Sequence, residues 1–155
     1  MTALKIIVLT LVLAVGVVFL TLYRNDAHLT QPPGFKKRLA IFLTTNMAMT
    51  SDDPVLEELR TPVFNMDAET LYRKTLLAAS KLGWTVASLD SDNQSAHFVV
   101  HSPLFLFEDD VYIQVNFINM KQSSLHVRSL SRKGKADFAA NSSHIQELIQ
   151  KVRSL

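Results

Sequence analysis

The 155-residue chain contains no cysteine, only four glycines and a single tryptophan. The first absence excludes disulfide frameworks, thiolate nucleophiles and Cys-ligated zinc. Scarce glycine leaves no Gly-rich loop to cradle a phosphate, and no serine sits in a Gly-x-Ser-x-Gly elbow. A large charge of one sign is also lacking: 16 Lys and Arg stand against 14 Asp and Glu, a formal net charge of +2, so nucleic acid is not an expected partner. With 48% hydrophobic residues the chain is too apolar to be disordered, and its length suits one domain.

What the chain does have is a long apolar run near its start. Residues 6–22 carry no charge and lie between Lys5 and the pair Tyr23-Arg24. As a helix rising about 1.5 Å per residue, residues 3–23 match the roughly 30 Å of a bilayer core, with Lys5 able to snorkel. A cleaved signal sequence would share the leading Lys, but its apolar stretch covers about 7–15 residues and ends at a small-x-small site. Asn25-Asp26-Ala27 fits such a site poorly. Residues 1–23 are therefore expected to be a single-pass membrane anchor. Arg24, Lys36, Lys37 and Arg38 follow the span, which by the positive-inside rule puts the body in the cytoplasm; large domains translocate largely regardless of such charges, so this count leaves topology open.

Residues 24–62 read as linker and membrane-proximal segment. Gln31-Pro32-Pro33-Gly34 makes a stiff joint. Residues 35–43 carry three cations and then Leu39, Ile41, Phe42 and Leu43, which suits either a helix lying on a membrane with its cations toward lipid phosphates or a short helix packed on the domain. Residues 44–62 are mostly small and polar and read as loop, with at most a helical turn near 55–59.

Residues 63–155 are expected to form an α+β domain. Asp67 can N-cap a helix with Glu69 in its first turn, and Ala68, Leu71, Thr75, Ala78, Ala79 and Leu82 form one apolar stripe that stops at Gly83. Four β-like segments follow, at 84–89, 96–102, 111–118 and 125–132, with separators short enough for hairpins. A last helix, capped by Asn141, Ser142 or Ser143, places Ile145, Leu148, Ile149, Val152 and Leu155 on one face. After the anchor, the order α-β-β-β-β-α predicts one antiparallel four-stranded sheet with two helices packed on one face.

Four separated elements of the text resemble a bacterial and plastid family known only as domain of unknown function 1499. They are Arg128-Ser129-Leu130-Ser131-Arg132-Lys133-Gly134-Lys135-Ala136-Asp137, followed by Asn141 and Ile145; Phe107-Glu108-Asp109-Asp110-Val111; Gly83-Trp84; and Pro33-Gly34 with Asn46, Thr50 and Glu58-Leu59-Arg60. The resemblance covers roughly residues 32–155. Many relatives carry a Cys near Asn46 where this chain has Met47, so a role for that thiol is absent. The resemblance implies no reaction and no cofactor, only a tendency toward membrane or envelope association, which sets the expected place of the body outside the cytoplasm.

Strand alternation supplies the candidate sites. If Phe98, Val100, Val111, Ile113, Val115, Phe117, Leu125 and Val127 face the helices, then His97, His101, Tyr112, Gln114, Asn116, His126, Arg128 and Arg132 share an opposite face that is polar, partly cationic and uncovered. The same arrangement suggests a structural ion-pair network among Arg128, Arg132, Asp109, Asp110 and Asp137. His97 and His101, four apart on a strand, are about 13 Å apart and cannot chelate one metal ion. The expected function is a membrane-anchored envelope domain that binds a protein or lipid-headgroup partner without chemistry. An envelope hydrolase using an Asp and a His on the open face, and an accessory subunit of a larger membrane complex, are the alternatives. A pocket holding a carboxylate and a His within about 3.2 Å would favour the enzyme.

Overall fold

A computed structural model describes residues 2–101 and 108–155. The elements are α1 (Thr2–Arg24), α2 (Phe35–Thr44), β1 (Met47–Met49), a 3-10 turn (Glu57–Leu59), β2 (Val63–Phe64), α3 (Ala68–Lys81), β3 (Thr85–Asp90), β4 (Ser95–His101), β5 (Glu108–Asn119), β6 (Gln122–Ser131) and α4 (Ala140–Arg153). The fold is α+β, with an N-terminal apolar helix. Its antiparallel sheet has six strands among the described residues, in the order β1-β6-β5-β4-β3 with β2 also beside β6.

The four long strands make the expected meander. Alternate residues Ala96, Phe98 and Val100, then Val111, Ile113 and Val115, then Leu125 and Val127 are buried with Leu71, Ala78 and Ala79 of α3 and Ile145, Leu148, Ile149 and Val152 of α4. Each larger side chain among these contributes about 1.5–3 kcal/mol, which fixes the register. Phe117, expected on this face, is instead 64% exposed; the pairing of β5 with β6 shifts just after it, where the hairpin runs past the helices. Leu155 is 37% exposed at the end of the chain and lies outside the core.

The two extra strands come from the region read as loop and its border. Met47 to Met49 pair with Leu130 to Arg128, and Val63 and Phe64 with Ser124 and Ser123, so both lie along β6. Strands of three and two residues have no period to read; they exist because β6 offers an unpaired edge. The cap of α4 also differs. The helix starts at Ala140, and the Asp137 carboxylate accepts bonds from the backbone N–H of Ala139 (3.0 Å) and Asn141 (3.3 Å). Asn141 is fully buried; its amide donates to Asp137, Ser131 and the Asn46 carbonyl, and its oxygen accepts from Ser129. Burial pushes the Asp137 carboxyl above its ordinary range.

Residues 24–62 are not a bare linker. Ala27, Phe42, Leu56 and Leu59 enter the core, and Arg38 is wholly buried. Its Nε and Nη2 donate to the Ala27 carbonyl (3.1 and 2.9 Å), Nη1 donates to the Pro32 carbonyl (2.9 Å), and the fork closes on Glu58, whose Oε2 is 3.2 Å from Nη1. The cation thus faces inward, not toward lipid phosphates, while Lys36 and Lys37 stay exposed. At the far end of the segment, α1 itself reaches the body: Thr21 and Leu22 are buried, and the Asn25 amide donates to the Phe138 carbonyl (2.9 Å).

Removing one partner of a buried ion pair leaves the other unsatisfied, at a cost of about 3–5 kcal/mol. Arg38→Met is expected to destabilise the body by that amount, seen as an earlier urea transition of Trp84 fluorescence for the full chain in detergent. Lys36→Met is expected to leave the transition in place. Equal transitions for wild type and Arg38→Met would show that the clamp does not hold this segment.

Candidate functional site

The strand register assembles rows of side chains on the face opposite α3 and α4. One row runs Ser88, His97, Tyr112, Arg128 and Met49 across β3, β4, β5, β6 and β1. The next holds Asp90, Ser95, Gln114 and His126. Together they line a concavity of about 500 Å³ in which five of the eight residues expected on the open face meet: His97, Tyr112, Gln114, His126 and Arg128. No helix covers Tyr112, which is 41% exposed. His101 and Arg132 lie at one end of the face beside Glu108, and Asn116 is exposed toward the other.

Each group in the concavity has a definite state. The His97 ring stacks on Tyr112, with centroids 4.3 Å apart and 10° between planes, while its Nε2 meets Asp110 Oδ1 at 2.7 Å. Asp110 also takes a fork from Arg132, whose Nε and Nη2 lie at 2.8 and 2.7 Å, and Arg132 Nη1 pairs with Glu108. Hydrogen bonds from Arg132, with His97 adding to them, hold the Asp110 carboxyl down at about 2; the same carboxylates raise Arg132. His126 Nδ1 is 2.9 Å from the Thr50 hydroxyl, which is fully buried and also accepts from the Val127 N–H. Gln114 donates to the Asn93 carbonyl (2.7 Å), tying it to the β3–β4 hairpin.

The expected five-member network is only partly assembled. Arg132 and Asp110 come together, with Glu108 and His97 as further members. Arg128 is exposed and pairs with no described carboxylate, because its cross-strand neighbours are Tyr112 and Met49. Asp109 is one residue from Asp110 and so points to the other face, where it is 1% exposed and its Oδ2 lies 3.1 Å from His144 Nε2. Asp137 is occupied at the start of α4. Met49 and Ser88 line the concavity and Thr50, named above only for the family resemblance, supports it; none of the three was expected on this face, since only pairing with β6 or β4 brings them there. His144 did carry a signal: it lies four residues before Leu148, on the buried stripe of α4, while Asp109 stands at a core-facing position of β5. Among the described residues no three His, Asp or Glu side chains converge as metal ligands.

The profile of a family described as a protein of unknown function, DUF1499, matches residues 28–152. The chain belongs to the DUF1499 family. That match takes in the Arg38–Glu58 clamp, the sheet and both packing helices, and leaves α1 outside the DUF1499 portion. No curated protein matches the chain.

Asp110 is ionised well below its ordinary range in the folded state, so its ion pair stabilises the protein fully above about pH 4 and the gain is lost as pH falls through about 2. With the Arg132 side chain 40% exposed, solvent screening keeps the gain small. Asp110→Asn is therefore expected to lower the urea midpoint at pH 6 and to match wild type near pH 2. A deficit of the same size at both pH values would show that packing, not charge, accounts for it.

Proposed function

We propose that this DUF1499 protein is a single-pass, membrane-anchored binding module of the cell envelope, with an open sheet face that receives an acidic partner. One observation carries the reading: Arg128 stands exposed in the concavity between Tyr112 and Met49, while the neighbouring cation Arg132 is consumed by Asp110 and Glu108. A guanidinium flanked by an aromatic and an apolar side chain suits a carboxylate or phosphate attached to a less polar body. Anchoring is supported by the helix, which is long and apolar enough to span a bilayer, and by Leu22, which is fully buried in the body. Cleavage behind α1 would strip that side chain from the core.

A hydrolase is favoured by two His–carboxylate pairs, His97–Asp110 at 2.7 Å beside the concavity and His144–Asp109 at 3.1 Å on the core side of the sheet. Against it, Ser88 is the register partner of His97 but makes no hydrogen bond to it, and Asp110 is already forked by Arg132. A base with no nucleophile bonded to it favours binding over chemistry.

A photo-crosslinking residue in place of Ser88 is expected to give a discrete adduct in intact cells that Arg128→Glu abolishes; the same residue at exposed Gln150 is expected to give none. Identical adducts from both positions would sink the binding face. The absence of cysteine makes topology separately readable. In this reading Ser91→Cys, at an exposed hairpin, labels with an impermeant maleimide in intact cells, and labelling only after lysis would put the body in the cytoplasm. Ser142, by contrast, is 4% exposed and unsuitable for labelling.

A further inference from the structure

A second concavity, of about 260 Å³, lies where α1 enters the body, lined by Arg24, Asn25, Trp84, Ser143, His144 and Glu147 among others. We propose that it holds the zwitterionic phosphate headgroup of a membrane phospholipid. This inference rests on the anchored reading of α1 and adds a ligand at the foot of the anchor.

Three observations converge on that chemistry. The first is an unsatisfied buried pair. His144 is 5% exposed, its Nε2 faces Asp109, and its edge meets the Trp84 ring at a 6.2 Å centroid distance. Yet His144 Nδ1 and Asp109 Oδ1 are buried with no hydrogen-bond partner among the described residues. Leaving such groups unpaired is costly, so a ligand atom that reaches the His144 nitrogen recovers what the protein forgoes. Nε2 is engaged by the Asp109 carboxylate, so Nδ1 is the ring nitrogen left for a polar ligand atom.

The second is charge of both signs. Arg24 is exposed and pairs with no described carboxylate, and Glu147 is exposed and, among the described residues, accepts only the Ser143 hydroxyl, at 3.3 Å. A cation and a carboxylate around one cavity suit a ligand carrying phosphate and ammonium together better than a simple anion.

The third is position. The 23 residues of α1, at about 1.5 Å each, exceed a bilayer core of about 30 Å by roughly one turn. That last turn holds buried Thr21 and Leu22 and ends at Arg24, so the cavity falls in the headgroup layer. Trp84 on its wall is a residue type that favours this layer.

Trp84 is the only tryptophan, so its emission reports from the cavity wall. The full chain in maltoside micelles is titrated with dihexanoylphosphatidylethanolamine, free phosphoethanolamine and dihexanoylphosphatidylglycerol. The expected result is a saturable change with the ethanolamine lipid, its half-saturation weakened about tenfold by Arg24→Gln and by Glu147→Gln. Both residues are exposed, so neither substitution threatens folding. Absence of a saturable change, or a change indifferent to both substitutions, overturns the proposal. Saturation by free phosphoethanolamine but not by the lipid assigns a soluble zwitterion instead. Saturation by the glycerol lipid with the same affinity, unaffected by Glu147→Gln, reduces the site to one for anions and likewise overturns it. Resistance of the protein to carbonate extraction from membranes is scored separately. A resistant protein without the Trp84 response sinks the cavity alone, and a protein released by carbonate sinks the anchored reading.

Discussion

A guanidinium with no exposed surface is the constraint on which much else depends. Arg38 cannot remain buried unless its donors are matched, and the matching groups come from three places: carbonyl groups of Ala27 and Pro32 before α2, and the Glu58 carboxylate after β1. The Phe42 ring packs against it from the next turn, 5.5 Å away. An unpaired buried cation costs several kcal/mol, so these segments are stable together and unstable apart. Their assembly carries β1 to the edge of β6. With β1 come Met49 at the rim of the open face and Thr50, whose hydroxyl orients His126. Part of the polar face is thus held by an ion pair on the other side of the chain's path.

Alternation along β5 divides the remaining electrostatics. Asp109 and Asp110 are adjacent and acidic, yet one faces the core and the other the open side. Asp110 meets Arg132 and His97 in partial contact with water, where the charged form is favoured. Asp109 meets a buried histidine instead. Two identical residue types therefore serve different surfaces, and the single peptide unit between them is enough to separate their duties.

The parts of this fold that repeat were legible in the sequence. The stripe of α3 with Asp67 before it and Gly83 after it, the period of two in β4 to β6, and the apolar face of α4 all follow from side-chain spacing, and through them the membership of the open face follows as well. Features made by pairing were not legible. The strands β1 and β2 are too short to show a period, and Arg38 looks in text like its neighbours Lys36 and Lys37, though only one of the three is buried. Arg128 and Arg132 share a face, but which of them finds a carboxylate depends on register: Arg132 lies near Asp110 and Glu108, while Arg128 lies between Tyr112 and Met49. The cap of α4 was obscured for a related reason, because Asn141 is drawn into bonds with β6 and the Asn46 carbonyl.

Leu22 closes both the apolar run and the hydrophobic core, since it is the last residue of that run and has no exposed surface. A helix joined to its domain in this way is a post, not a tether. In the anchored reading proposed above, the tilt and depth of α1 in a bilayer are passed to the sheet through Leu22 and the Asn25–Phe138 bond. On that reading a partner seated in the concave face would be held at one height and one bearing relative to the lipid surface, and bilayer thickness itself would become a variable to which such an assembly responds.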